Sequence, residues 1–233
     1  MKWMTCTLLI ISVASFAQAT NPYVGAWGSQ YGDGVEAQWI FAEKYFSVTY
    51  FKKAEFLSTE GGYWSVPESG KLKLTWEYHS KQPERVGQSE IYTVAVNDDE
   101  FTMDKALWKR IDGGSPGLLA GAWLITGRYQ DGELRERTPG VRKTMKILSG
   151  TRFQWIAYNV DTKEFLGTGG GTYTTQNGQY TENIIFFSRD NNRAGTSLQF
   201  DFKLQDGKWH HQGLSSKGDP INEVWTKREH LEK

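Results

Sequence analysis

Alternation of apolar and polar residues is the clearest pattern along this chain of 233 residues, and it predicts β-strands. Residues 197–204 place an apolar side chain at every second position: Leu198, Phe200, Phe202 and Leu204. Residues 71–78 repeat the pattern in the first half of the chain. Because successive side chains on a strand point to opposite faces, a period of two indicates strands that bury one face.

Turn-forming residues separate these segments and favour antiparallel hairpins. The hairpin signals are short and carry Gly, Asn or Asp: residues 67–70, Asn97-Asp98, Asn177-Gly178 and Asp206-Gly207. The chain is also 14% aromatic and has 25 glycines, a composition that suits pleated sheets with tight bends. Since no long stretch has a helical period, the predicted fold class is all-β.

The two halves of the sequence repeat four motifs in the same order, which indicates a duplicated fold. The motifs and their counterparts are Gly25-Ala26-Trp27 with Gly121-Ala122-Trp123, residues 56–63 with 165–172, residues 78–87 with 186–195, and residues 107–110 with 224–228. We therefore expect a first β-barrel-like domain at 20–111, a linker at 112–120, a second barrel at 121–229 and a tail at 230–233. A single sandwich with compositionally similar halves is the alternative.

The ends of each repeat carry residues typical of barrel closure. A Gly-x-Trp on the first strand and a Trp followed by basic residues on the last resemble the lipocalin and calycin group, where a basic side chain lies over the first-strand Trp. The closing pairs that this resemblance implies are Trp27 with Arg110 or Lys109, and Trp123 with Arg228 or Lys227. The resemblance also implies two antiparallel lipocalin-like β-barrels in tandem.

The second half carries a more specific set of motifs. They are Phe153-Gln154-Trp155, residues 167–173, Gly178-Gln179-Tyr180-Thr181-Glu182, residues 186–190, residues 209–213 and Glu223-Val224-Trp225. Together they resemble a family of bacterial secreted proteins described as lipocalin-like domains of unknown function. The resemblance covers most of residues 121–229 and implies a barrel and export, without bringing an activity or catalytic residues.

The N-terminus has the layout of a secretory signal peptide over residues 1–19. Lys2 precedes an apolar run at 7–16, and Ala17-Gln18-Ala19 supplies small residues before a cleavage at Thr20. The run is too short to span a bilayer. The only cysteine, Cys6, lies inside this segment, so we expect a secreted or periplasmic chain without disulfides.

Charge and motif content argue against several function classes. The chain has 27 basic and 27 acidic residues without a basic patch or tail, so we expect no nucleic-acid partner and no anionic membrane surface. Adjacent strand residues face opposite ways, so His210 and His211 cannot ligate one metal together, and we predict neither metal nor cofactor. Motifs of nucleophilic or zinc hydrolases are absent from the sequence, which makes an enzyme less favoured.

Glu182 is the carboxylate that the strand pattern predicts to be buried. It lies in phase with Tyr180, Ile184 and Phe186 on a predicted strand, and a buried carboxylate is costly unless it is paired. The candidate partners are Arg152, Arg189 and Arg193. The alternatives are a structural ion pair or rim residue, a ligand-binding group, and a residue of a hydrolytic enzyme.

The function that we expect is the binding of a small, mostly apolar ligand inside a barrel, and we expect the second barrel to hold it. Its candidate ligand-binding residues combine rings with polar tips and a charged end: Trp155, Tyr158, Tyr173, Tyr180, Glu182, Arg189, Trp209 and His211. The main alternative is a surface module that binds a glycan or a partner protein through exposed aromatics, with both barrels filled by their own side chains. The identity of the ligand and the oligomeric state stay open at this point.

Overall fold

A computed structural model describes residues 21–115 and 117–232 of the chain. The predicted signal peptide, with Cys6 and the expected cleavage before Thr20, lies outside the described residues. The described part is all-β and forms two barrels of antiparallel strands, which confirms the predicted fold class.

The first barrel is a closed ring of eight strands in sequence order, β1 to β8. Their bounds are Gly25–Gln30, Glu36–Phe41, Tyr45–Lys52, Glu55–Glu68, Lys71–His79, Ser89–Val96, Glu100–Met103 and Ala106–Asp112. β8 pairs with β1 and completes the ring. A short 3-10 turn, Pro83–Arg85, links β5 to β6.

The second barrel repeats this order with β9 and β11 to β17, and β17 pairs with β9 to close it. Its strands are Gly121–Gln130, Glu133–Glu136, Arg142–Leu148, Arg152–Asn159, Glu164–Gln176, Gln179–Phe187, Ser197–Gln205, Lys208–Leu214 and Pro220–Lys227. The second of these, β10, forms a hairpin with the end of β9 and lies beside the ring. Asn191–Arg193 forms a 3-10 turn between β14 and β15, where the first barrel has Pro83–Arg85.

Local residues explain the hairpins and the bends of the long strands. Asn177-Gly178 and Asp206-Gly207 join adjacent strands, and all four residues have positive φ, as these tight turns require. Gly171 sits at a bulge of β13, where an added Cβ would lie 2.0 Å from the carbonyl oxygen of Asn183. The glycine run at residues 169–171 therefore allows close backbone approach at a barrel bend.

Both first-strand tryptophans are buried and equivalently bonded. Trp27 Nε1 donates to Tyr23 O at 2.8 Å and Trp123 Nε1 donates to Leu119 O at the same distance. The Arg110 guanidinium lies 4.0 Å from the Trp27 ring centroid. In the second barrel, Lys227 covers the Trp123 ring, with its Nζ 5.6 Å from the centroid. Of the two basic residues predicted to cover Trp123, Lys227 does so, and Arg228 does not.

Arg228 instead joins the two barrels. Its side chain is fully buried and binds both carboxylate oxygens of Glu77 in the first barrel, at 2.6 and 3.0 Å. Burial alone would raise the pKa of Glu77, but Arg228 and Lys143 hold it below its ordinary value. Arg228 begins the helical turn α1, Arg228–Leu231, and also binds Glu232 at 2.8 Å. The segment predicted as a tail at 230–233 thus includes residues that pack on the junction.

An apolar layer surrounds this ion pair. It combines side chains of both barrels: Ile40, Ala42, Tyr45, Tyr78, Ala122, Leu124, Met145, Ile147, Ile156 and Tyr158. Gln154 adds polar contacts across the junction, because its Nε2 donates at 2.9 Å to Thr59 of the first barrel and to Thr168 of the second. Asp112, at the end of β8, accepts hydrogen bonds from Ser149, Gly150 and Thr151 and fixes the start of the connection to the second barrel.

No helix in residues 21–115 or 117–232 is long and apolar enough to cross a membrane.

Candidate functional site

The two barrels can be compared position by position, because their strands pair in the same register. One inward-facing row of the first barrel runs across neighbouring strands through Trp27, Trp39, Val48, Glu60 and His79. The corresponding row of the second barrel runs through Trp123, Lys146, Trp155, Gly169 and Phe187. A lysine therefore occupies the place that a buried tryptophan takes in the first barrel.

The first barrel is filled by its own aromatic side chains. Trp39 stacks on Phe41 with ring centroids 5.1 Å apart and meets Trp108 edge to face at 5.7 Å. Trp76 Nε1 donates to Glu60 at 2.7 Å, and His79 Nε2 lies 3.2 Å from the same carboxylate oxygen. The polar groups Glu60 and His79 thus have partners within the protein.

Four interior positions that are apolar in the first barrel carry titratable side chains in the second. Matching the paired strands gives the following replacements, first barrel before second: Trp39 by Lys146, Leu74 by Glu182, Met103 by His211, and Ala106 by Glu223. All four titratable residues are buried. Because the same fold forms with apolar residues at these places, the fold itself does not require the charges.

Lys146 and Glu182 form a buried ion pair. Lys146 Nζ lies 2.7 Å from Glu182 Oε1, and the Tyr180 hydroxyl donates to the same oxygen at 2.8 Å. The ammonium also lies 4.9–5.6 Å from the centroids of four aromatic rings: Tyr180, Phe200, Trp209 and Trp225. The faces of these rings stabilise a cation. The predicted arginine partners of Glu182 were therefore wrong, and the partner is a lysine on β11.

Glu223 and His211 form the second half of the cluster. Glu223 accepts hydrogen bonds from Arg128 at 2.9 Å and from Trp225 Nε1 at 3.2 Å. His211 Nδ1 lies 3.6 Å from Glu223 Oε2, which is beyond hydrogen-bonding distance. Neither nitrogen of His211 has a hydrogen-bond partner in the described part of the chain. Burial, reinforced by Lys146, lowers the pKa of His211 to about 4, so its imidazole is neutral at pH 7.

A cavity of about 170 Å³ opens above this cluster, at the end of the barrel away from Trp123. Its polar lining includes Lys146, Glu182, His211 and Glu223. Its apolar lining consists mainly of rings and branched side chains: Trp155, Ile184, Phe187, Leu198, Phe200, Ile221 and Trp225. The cavity is close in size to an engineered apolar cavity of about 150 Å³ that binds benzene in another protein.

Five of the eight predicted ligand-binding residues gather at this cluster. Trp155, Glu182 and His211 line the cavity, while Tyr180 and Trp209 pack directly beneath it against His211, with ring centroids 5.7 and 5.3 Å away. The position of Glu182 agrees with the buried strand face that its phase with Tyr180 and Ile184 predicts. The prediction that they bind a ligand stays a prediction.

The other three predicted residues lie elsewhere. Tyr173 is inside the barrel but near its closed end, where its hydroxyl donates to Ser149 O at 2.7 Å. Tyr158 faces the first barrel and donates to Glu77, because it lies an odd number of residues after Trp155 and so on the opposite face of the strand. Arg189 is exposed and bonds the carbonyl oxygen of Leu166. These three do not contact the cavity.

Sequence reasoning missed Lys146 and Glu223. Lys146 lies within the apolar segment from Met145 to Leu148, where no alternation shows which strand face it occupies. Glu223 precedes Trp225 by two residues and shares its face. The alternation around Glu223 was a usable signal. Lys146 becomes recognisable only when its repeat counterpart, Trp39, is known from strand pairing.

A larger concavity lies on the outer surface. It has a volume of about 730 Å³, and Gly28, Tyr31, Leu107 and Ile111 are part of its wall, where the ends of β1 and β8 separate. It lacks the buried titratable groups that distinguish the interior of the second barrel. Within residues 21–115 and 117–232, no group of three His, Cys, Asp or Glu side chains is placed to hold a metal ion.

Comparison with known proteins adds one finding about the second half. No curated protein matches the chain. Residues 118–233 match a family described as a domain of unknown function, DUF4488, so this family's domain coincides with the barrel that contains the buried cluster.

Proposed function

We propose that this chain is an exported, non-catalytic binding protein whose second barrel holds a small, mostly apolar ligand. The observation that carries the proposal is the buried cluster of Lys146, Glu182, His211 and Glu223 beside a cavity, at four positions that are apolar in the first barrel. Export rests on the signal-peptide pattern of residues 1–19 and on the resemblance to secreted lipocalin-like proteins.

Energetics support a role other than stability for the cluster. Desolvating two charges costs several kcal/mol per ion, and well-packed apolar residues are often as stabilising as a buried ion pair or more so. The first barrel uses apolar residues at the same positions, and its core is complete without charges there. With four titratable groups beside a cavity, the second barrel therefore lacks apolar packing that the first barrel has at these positions. This loss favours a role in ligand recognition over a role in stability.

The lining determines the kind of ligand. Trp155, Phe187 and Phe200 offer ring faces and edges, and the polar groups converge on one side. Small-molecule sites commonly combine apolar walls with a few placed polar groups. A volume of about 170 Å³ suits a single ring with one or two substituents rather than a lipid chain.

The alternative of surface recognition has less support. Among the exposed large hydrophobic side chains of the described residues, the aromatic ones are Tyr31 and Tyr129, and the others are aliphatic. Stacking on a sugar ring needs exposed aromatic faces, whereas most rings of this protein are in the barrel interiors.

Filling the cavity provides the test. Ile184 lines the cavity at the position that Trp76 occupies in the first barrel, so Ile184→Trp should fill it with a side chain that the fold accepts there. The matched control is Ile91→Trp, which adds the same ring at an exposed position of the first barrel. Small aromatic fragments are screened against the mature chain by two-dimensional NMR, following the indole signals.

The proposal predicts fragments that shift the signals of Trp155 and Trp225, bind the Ile91→Trp variant equally well and fail to bind the folded Ile184→Trp variant. If fragments bind both variants equally, or shift only signals outside the second barrel, the site is not in this cavity and the proposal is wrong.

A further inference from the structure

We infer that the ligand of the second barrel is a neutral, ring-containing compound with a hydroxyl group, of the phenol class, and that His211 forms a hydrogen bond with this hydroxyl. This inference rests on the proposed function and goes beyond it, because it assigns a charge and a functional group to the ligand. Three features of the cavity carry it: the balance of its charges, the unpartnered imidazole, and the shape of its apolar wall.

The charges of the wall are already paired. Lys146 is bonded to Glu182 at 2.7 Å, and Glu223 is bonded at 2.9 Å to Arg128, which lies outside the cavity lining, so each charged group of the wall has a counter-ion. An anionic or cationic ligand would lose its hydration without meeting an unpaired countercharge, and that desolvation is costly. The wall therefore favours a ligand without a net charge.

His211 supplies the polar contact that is still open. It is only 1% exposed, its ring lines the cavity, and neither nitrogen has a hydrogen-bond partner in residues 21–115 or 117–232. Both nitrogens are covered by surrounding atoms, so a ligand hydroxyl reaches one of them after a small rotation of the ring. A neutral imidazole has one N–H donor and one acceptor nitrogen. A buried polar group without a partner is costly, so a ligand that satisfies it gains affinity. A hydroxyl fits because it can both donate and accept a hydrogen bond.

The apolar wall places a ring beside that group. Phe200 packs on His211 with ring centroids 4.2 Å apart, and Trp155 meets Phe187 at 5.5 Å on the other side of the cavity lining. These rings suit edge or offset contacts with another ring. A volume of about 170 Å³ admits one six-membered ring with a small substituent.

The test uses four probes of similar size, titrated calorimetrically into the mature chain at pH 7: phenol, toluene, benzoate and benzylammonium. Phenol and toluene differ in the hydroxyl, and the last two carry opposite charges. One net hydrogen bond to a buried group corresponds to roughly tenfold in affinity. We expect phenol to bind about tenfold more tightly than toluene, and both ions to bind more weakly than toluene.

Two variants locate the effect. His211→Leu should reduce the ratio of phenol to toluene affinity to near one. Met103→Leu, at the equivalent position of the first barrel, should leave the ratio as it is in the unchanged protein.

The possible results separate this inference from the proposed function. If toluene binds and phenol is no tighter, if either ion binds most tightly, or if His211→Leu keeps the preference for phenol, the inference is overturned and the binding barrel stands. If none of the four probes binds, and the cavity holds water only, both the inference and the proposed function are overturned.

Discussion

Replacing the buried ion pair of the second barrel by apolar residues is expected to leave the protein folded and at least as stable. The substitution Glu182→Leu copies Leu74 of the first barrel, and Lys146→Met replaces the cation by the unbranched apolar side chain closest to it in length. Tyr180→Phe is added because the Tyr180 hydroxyl would otherwise lose its acceptor, Glu182, and remain buried without a partner.

The magnitudes follow from burial. Lys146 and Glu182 are 5% and 3% exposed, so either single substitution leaves an uncompensated charge inside the barrel and should cost about 3–5 kcal/mol. The triple variant removes both charges together and should lie between no change and about 4 kcal/mol of added stability. The effects are therefore strongly non-additive, as expected for contacting residues.

Urea unfolding followed by circular dichroism measures the free energy of each variant. Hydrogen exchange of amides in β11 and β14 reports the second barrel separately from the first. If the triple variant is destabilised as much as either single variant, these charges are needed for folding and not for binding.

Two further predictions address the junction and the imidazole. Arg228→Met should lower the free energy of unfolding by about 3–5 kcal/mol, because it leaves Glu77 buried without its main partner. Arg137 is exposed, so the control Arg137→Met should change that free energy by less than about 0.5 kcal/mol in the same urea titration. His211 has a pKa of about 4 in the folded state against an ordinary value of 6.5, so the unfolded chain binds the proton more readily and stability should fall as pH falls from 6.5 to about 4, by at most about 3 kcal/mol. His211→Leu should remove that part of the pH dependence, and an unchanged pH profile of stability would contradict the assigned burial of a neutral imidazole.

The strands and the duplication were predictable because their signals are local. Period-two alternation and turns such as Asn177-Gly178 depend on residues adjacent in sequence. The basic side chains that cover Trp27 and Trp123 also follow from short motifs, although choosing between Lys227 and Arg228 requires the exact end of β17. Lys227 still belongs to that strand and covers Trp123, while Arg228 begins α1 and turns to the junction.

The site was predictable only in part, because bulges and long-range pairing decide which side chains meet. Phe186 was expected on the face of Glu182, but a bulge opposite Gly170 and Gly171 turns it outward, where it stacks on Phe51 of the first barrel at 5.3 Å. The partner of Glu182, Lys146, lies three strands away in the chain order. No local pattern connects the two.

A crystal structure of the mature protein soaked with phenol shows directly whether the second barrel holds a ring beside His211. We expect a ring bound in the cavity of the second barrel, with its hydroxyl within hydrogen-bonding distance of His211 and its edge against Phe200. A cavity closed by side-chain rotation, with both nitrogens of His211 bonded to the protein and no probe inside the barrel, would contradict it.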